Sequence, residues 1–304
     1  MTQAPPPSPP IQNLPVLRVV AEGYRSFFHY LRYLPQAAFL PILLAVPLYW
    51  LNFSIVKRIL ADPTAVSAEP LIILLVNCLI LLVLILFYVS WFRLTLLGPD
   101  AGRPPWLPLP RRRHVCFVWK GFLILLICLG LGIAILILVN LLSALVPKPP
   151  ESLAKALSFA ASLIPSLIIL FVMLRLGFVF PALAVDEPYG LRNAWAHTKG
   201  QTLRLFAAFL LTALPLYLLM IIVTFVMSPE LLTPIDPRTP QDPAVIIEQI
   251  ESSWLVSTLV GLPLGLCFVA VLVGAFSAAF RITTGWYPPD TAAEAAGPPD
   301  LPWD

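Results

Sequence analysis

Apolar positions along this chain neither alternate at the period of a strand nor thin out every third or fourth residue. They run on. Residues 34–56, 70–92, 121–147, 156–174, 205–227 and 254–280 hold no Asp, Glu, Lys or Arg. About 20 apolar residues in a helix span a bilayer, so the pattern predicts six transmembrane helices and an all-α, polytopic membrane fold. Prolines inside these runs (Pro41, Pro47, Pro165, Pro215 and Pro263) predict kinked helices. The runs pair into three hairpins, each opening and closing on a basic residue: Arg32 to Arg93, Lys120 to Arg175, Arg204 to Arg281. The hairpin ends are alike, Trp91-Phe92-Arg93-Leu94-Thr95 against Ala279-Phe280-Arg281-Ile282-Thr283, with Leu174-Arg175-Leu176 as the third. A triplicated hairpin follows. Its three arginines either ring a vestibule or snorkel to lipid headgroups.

A different pattern precedes the first run. Arg18, Glu22, Arg25, His29 and Arg32 recur at spacings of four and three and form one polar stripe, the rest being apolar and aromatic. The expectation is an amphipathic helix in the membrane interface, its apolar face toward lipid. Residues 191–197 read as a short helix broken near Gly200, and Asp242-Pro243 starts another over 243–253. The membrane domain is expected over 15–284, between disordered Pro-rich tails at 1–14 and 285–304.

Composition narrows the class. Of 304 residues 59% are hydrophobic and 12% charged, about half the charge of a soluble domain, which excludes an ordinary soluble enzyme and a disordered chain. With the N-terminus inside, fourteen Lys/Arg fall on the cytoplasmic side and five on the other, so the positive-inside rule puts both termini in the cytoplasm. The Pro-rich start, with no basic residue before Arg18, is not a secretory signal. The basic face, with Arg111-Arg112-Arg113 at its centre, suits anionic lipid headgroups and needs no nucleic acid to explain it.

Reactive groups are sparse. Cys78, Cys116, Cys128 and Cys267 have no CxxC or Cys/His spacing, and His29, His114 and His197 have no HxxxH context, so neither metal nor cofactor is expected. The paired carboxylates Asp186-Glu187 sit beside Pro188-Tyr189-Gly190 and read as a turn. Inside the spans, Asn77 and Asn140 are expected to face protein and to bond to each other or to backbone. Ser158, Ser162 and Ser166 on one helix, and Gly261, Gly265, Ala270, Gly274 and Ala278 on another, are expected to let helices pack closely.

One stretch carries a resemblance. Residues 184–200, Ala184-Val185-Asp186-Glu187-Pro188-Tyr189-Gly190-Leu191-Arg192-Asn193-Ala194-Trp195-Ala196-His197-Thr198-Lys199-Gly200, continue to Leu203-Arg204-Leu205. This segment resembles the one before the fifth span of bacterial six-helix proteins similar to the membrane domain of glycerophosphodiester phosphodiesterases. Trp195, Thr198, Lys199, Gly200 and Arg204 match; Ala194 stands where Ser is expected. Trp91-Phe92-Arg93 and Leu97-Gly98 look like stand-alone members of that group. In the two-part enzymes the chemistry belongs to a separate barrel of about 200 residues or more, for which the residues after the sixth span are too few, so hydrolase activity is not carried over. The resemblance implies a bacterial inner-membrane protein in which Trp195 anchors at the interface and Lys199 and Arg204 meet phosphates.

The expected function is therefore a non-catalytic accessory or scaffold. It would contact anionic headgroups or an unidentified protein through Arg111, Arg112, Arg113, Trp195, Lys199 and Arg204. The competing expectation is a transporter or flippase-like protein for a lipid or small amphiphile, with Asn77, Asn140, Ser162 and Ser166 along its route. A membrane-embedded enzyme is the third.

Overall fold

Glycines mark an interior break and a stop in the long apolar helices, at Gly98 and Gly285, while Pro41, Pro47, Pro165 and Pro215 lie inside continuous helices. The computed structural model describes residues 14–61, 69–106, 111–145, 151–227, 254 and 257–288; the expected helix over 243–253 and most of both expected tails lie outside them. Nine α-helices occur among these residues: α1 (Val16–Tyr30), α2 (Leu34–Ala61), α3 (Glu69–Gly102), α4 (Arg112–Leu145), α5 (Glu151–Leu176), α6 (Val179–Ala184), α7 (Leu191–His197), α8 (Thr202–Met227) and α9 (Leu262–Thr284). Six helical stretches are long and apolar enough to cross a membrane, and there is no strand among the described residues. The chain is an all-α polytopic membrane protein, and the short helix read over 191–197 is α7.

Two irregularities shape the bundle. Gly98 in α3 has φ 77° and ψ −179°, a conformation essentially confined to glycine. It turns residues 99–102 back on the helix, where Gly102 lies so close to the Arg93 carbonyl that no side chain fits. At the far end of α9, Ser257–Gly261 form a π-helical turn ahead of Pro263, which widens the helix locally.

The N-terminal helix departs from expectation. Its polar stripe is outward, Arg18, Arg25, His29 and Arg32 being exposed. Its opposite face, however, meets protein rather than lipid: Val19, Gly23 and Phe27 are buried, mainly against α9. Gly23 makes the approach possible, since a Cβ there would stand 2.9 Å from Cβ of Ala275, and Gly274 across the contact lies against Ser26 and Gly23. The Tyr24 hydroxyl donates to the Thr212 carbonyl of α8 at 2.9 Å and ties the same helix to a second neighbour.

The core is gathered at one end of the bundle, that of Arg93, Arg175 and Arg281, called here the basic end. Two apolar clusters fill it, one around Phe87, Trp91, Phe92 and Ala270, the other around Phe178, Val179, Ala208 and Phe280. Polar bonds stitch α3 to α9 inside this core: Trp91 Nε1 donates to the Ala270 carbonyl at 2.9 Å, and the Thr95 and Ser277 hydroxyls are 2.8 Å apart. Both expected tail boundaries shift. Leu14 is buried and its N–H donates to Gln201 Oε1 at 3.1 Å; Trp286 packs on Phe280 and donates to Glu187 Oε1 at 3.0 Å.

Candidate functional site

The three half-buried arginines at the hairpin ends turn their donors onto neighbouring helices. Each caps the C-terminal end of another helix, where carbonyls lack intrahelical donors. Arg281 donates through Nη2 to the carbonyls of Thr95 and Leu96, the latter at 2.9 Å. Residue 99 is a proline, so Thr95 has no amide four residues on to accept from. Arg93 donates at 2.9 Å to the Ala184 carbonyl, the last of α6. Arg175 donates at 2.7 Å to the Trp195 carbonyl in α7 and at 3.2 Å to Thr198 Oγ1. A cation at a helix C-terminus also meets the negative end of the helix dipole.

Two of these arginines make further contacts that change the expected roles of named residues. The Arg175 guanidinium lies 3.5 Å from the Trp195 ring centroid, a cation–π contact. The half-exposed Trp195 ring thus carries an internal arginine as well as facing outward. Arg93 and Arg113 share Asp186, at 3.4 Å and 3.3 Å from Oδ2. Asp186 presents that carboxylate from a left-handed backbone, φ 62°, which Asp tolerates better than most residues. Arg113 is therefore largely withdrawn from the surface, a correction to its grouping with its neighbours. Arg111 and Arg112 are exposed, and His114 Nδ1 accepts the Arg111 amide at 2.9 Å at the start of α4. Lys199 and Arg204 are exposed too, on either side of the turn at Gly200, whose φ is 78°.

Beside this surface lies a recess of about 530 Å³ lined by Glu187, Tyr189, His197, Phe280, Trp286 and Tyr287. The Tyr189 hydroxyl and His197 Nδ1 are 2.8 Å apart, with the rings stacked at 5.7 Å. Burial raises the Tyr189 hydroxyl well above the usual tyrosine range.

Of the polar residues expected within the membrane, Asn77 and Ser166 are described and both are exposed rather than facing protein. Asn77 is exposed on the chain's surface; its Oδ1 accepts from Asn52 Nδ2 at 3.2 Å and its amide donates to the Ile73 carbonyl at 2.9 Å. The bond to backbone matches expectation, and among the described residues the cross-helix partner is Asn52 on α2. Ser166 is exposed, and the side chains of Asn140 and Ser162 lie outside the described set. A different cavity, about 740 Å³, opens between α2, α3, α8 and α9 toward the end opposite the basic one. Neither Asn77 nor Ser166 lines it. Gly261 and Gly265, expected as packing residues, do.

No family model, no curated protein and no solved structure matches the chain.

Proposed function

We propose that this is a non-catalytic accessory or scaffold protein of the bacterial inner membrane, with both termini cytoplasmic, whose basic end holds anionic lipid headgroups, alone or together with a protein partner. The carrying observation is a division among the cations. Arg93, Arg113, Arg175 and Arg281 point their donors at carbonyls and at Asp186. Arg111, Arg112, Lys199 and Arg204 remain exposed, and no salt bridge among the described residues holds them. Exposed guanidinium and ammonium groups beside an apolar bundle are suited to phosphate oxygens, each contributing about 1 kcal/mol toward an anionic surface. The bias of Lys and Arg toward this end supports its cytoplasmic placement, and the likeness of residues 184–205 to stand-alone members of the six-helix group fits a role without hydrolysis.

The test is native mass spectrometry of the full chain extracted from membranes containing phosphatidylglycerol and phosphatidylethanolamine. Wild type should retain phosphatidylglycerol. A variant with Arg111, Arg112, Lys199 and Arg204 changed to Ser should lose it while keeping its fold. Equal retention would overturn the reading. Arg113 is left in place because of its contact with Asp186.

The transporter or flippase-like reading has its own support in the apolar cavity at the opposite end, although neither Asn77 nor Ser166 lines it.

A further inference from the structure

We infer that the cavity opposite the basic end is a binding site for a membrane lipid, taking one hydrocarbon chain among its apolar walls and an ester or hydroxyl oxygen of the same lipid at its tyrosines. This goes beyond the headgroup contact proposed above, because the two sites share no residue.

Size and position come first. The cavity's volume of about 740 Å³ lies in the range of roughly 300–1,000 Å³ typical of ligand sites. Its wall along the π-helical turn and α9 runs from Thr258 to Val269, about 16 Å along the helix axis, or about half the hydrocarbon core of a bilayer. The site is therefore at membrane depth: Tyr88, Leu266 and Val269 set its inner end against the core cluster of Trp91 and Ala270, and it extends from there away from the basic end.

The lining selects the ligand. Among the described residues no Asp, Glu, Lys, Arg or His lines it, a setting that favours a neutral ligand over an ion. Most of the wall is Leu, Val, Met and Phe. Yet Tyr49, Tyr88 and Tyr217 come to it from three different helices, and their hydroxyls have no hydrogen-bond partner among the described residues. A phenol at this depth without a partner is costly. A pure hydrocarbon would leave all three unpaired, whereas an ester carbonyl or a hydroxyl on a lipid accepts from them. Thr224 does not compete for that role, because its hydroxyl already donates to the Met220 carbonyl at 2.9 Å.

The chain keeps the space open by sequence. The π-helical turn at Ser257–Gly261 leads into Pro263 at this end of α9, and both features disturb regular helix packing. Gly265 lines the cavity, and a Cβ added there would meet nothing within 4 Å.

That glycine gives the experiment. Full-length protein is reconstituted in vesicles of phosphatidylglycerol and phosphatidylethanolamine that include a phospholipid with a diazirine in its acyl chain. After photolysis, labelled peptides are mapped. Wild type should be labelled within Thr258–Val269 and Tyr217–Thr224. Gly265→Leu adds its side chain where a Cβ meets nothing within 4 Å and should cut that labelling about tenfold. Gly130→Leu, at an equally open position on α4 outside the cavity, should leave it unchanged. No labelling of these segments in wild type, equal labelling in Gly265→Leu, or an equal fall in Gly130→Leu would each overturn the inference. Changing Tyr49, Tyr88 and Tyr217 to Phe should lower labelling by the phospholipid probe but not by a diazirine alkane; unchanged phospholipid labelling would overturn the role of the phenols. The variant lacking Arg111, Arg112, Lys199 and Arg204 should label as wild type, which separates this site from the basic end.

Discussion

An arginine facing a backbone carbonyl is a modest interaction on a surface and a larger one where water is scarce. Arg281 serves two carbonyls at once through the two N–H groups of a single nitrogen, Nη2. Arg281→Gln should therefore lower stability by about 1–3 kcal/mol, read as a fall in melting temperature in detergent, while the exposed Arg204→Gln should shift it little. Tyr189 offers a test of sign. Its hydroxyl titrates above the unfolded value of about 10, so the fold favours the neutral form. The stability this contributes is complete below pH 10 and is lost as pH rises from there through the folded value. Thermal scans at increasing alkaline pH should show wild type losing stability more steeply than Tyr189→Phe. The sequence displayed Arg93, Arg175 and Arg281 as equivalent but not what they touch, because the partners are main-chain atoms as many as 186 residues away. One clue was present: Pro99 removes the donor that the Thr95 carbonyl would otherwise have.

Whole helices were easier to read than their neighbours. The charge-free runs located the spans because lipid tolerates no unpaired charge there, and residues 191–197 declared themselves as a helix by amphipathic spacing. The stripe of small residues on α9 was legible as a stripe but not as two devices. Gly274 receives α1, while Gly265 borders empty space, and nothing within α9 distinguishes them. The distinguishing residue is Gly23, a poor helix former on the apolar face of α1. Gly274→Leu should push Ser26 and Gly23 away and cost about 1–3 kcal/mol, with faster proteolysis ahead of Val16. Gly265→Ala, measured the same way, should be close to neutral.

Across the molecule, packing is uneven. Buried residues crowd the basic end, and toward the other end much of α4 and α8 turns large apolar side chains outward, as suits helices whose surroundings are lipid. Patterning announced the lipid-facing character but not the asymmetry, since a leucine against a neighbouring helix and a leucine against an acyl chain look alike in sequence. The asymmetry was set by contacts between distant segments, above all the seat of α1 on α9. That seat has a consequence for how the chain is made. Gly274 leaves the ribosome about 250 residues after Gly23, roughly 10–50 s later at ordinary rates of synthesis. Throughout that interval Val19, Gly23 and Phe27 exist without their groove, and the nascent α1 must wait in lipid or with a chaperone. The last of the described helices to be translated is thus the one that completes the first of them, and a chain stalled before it would display an unclaimed face of α1 to quality control.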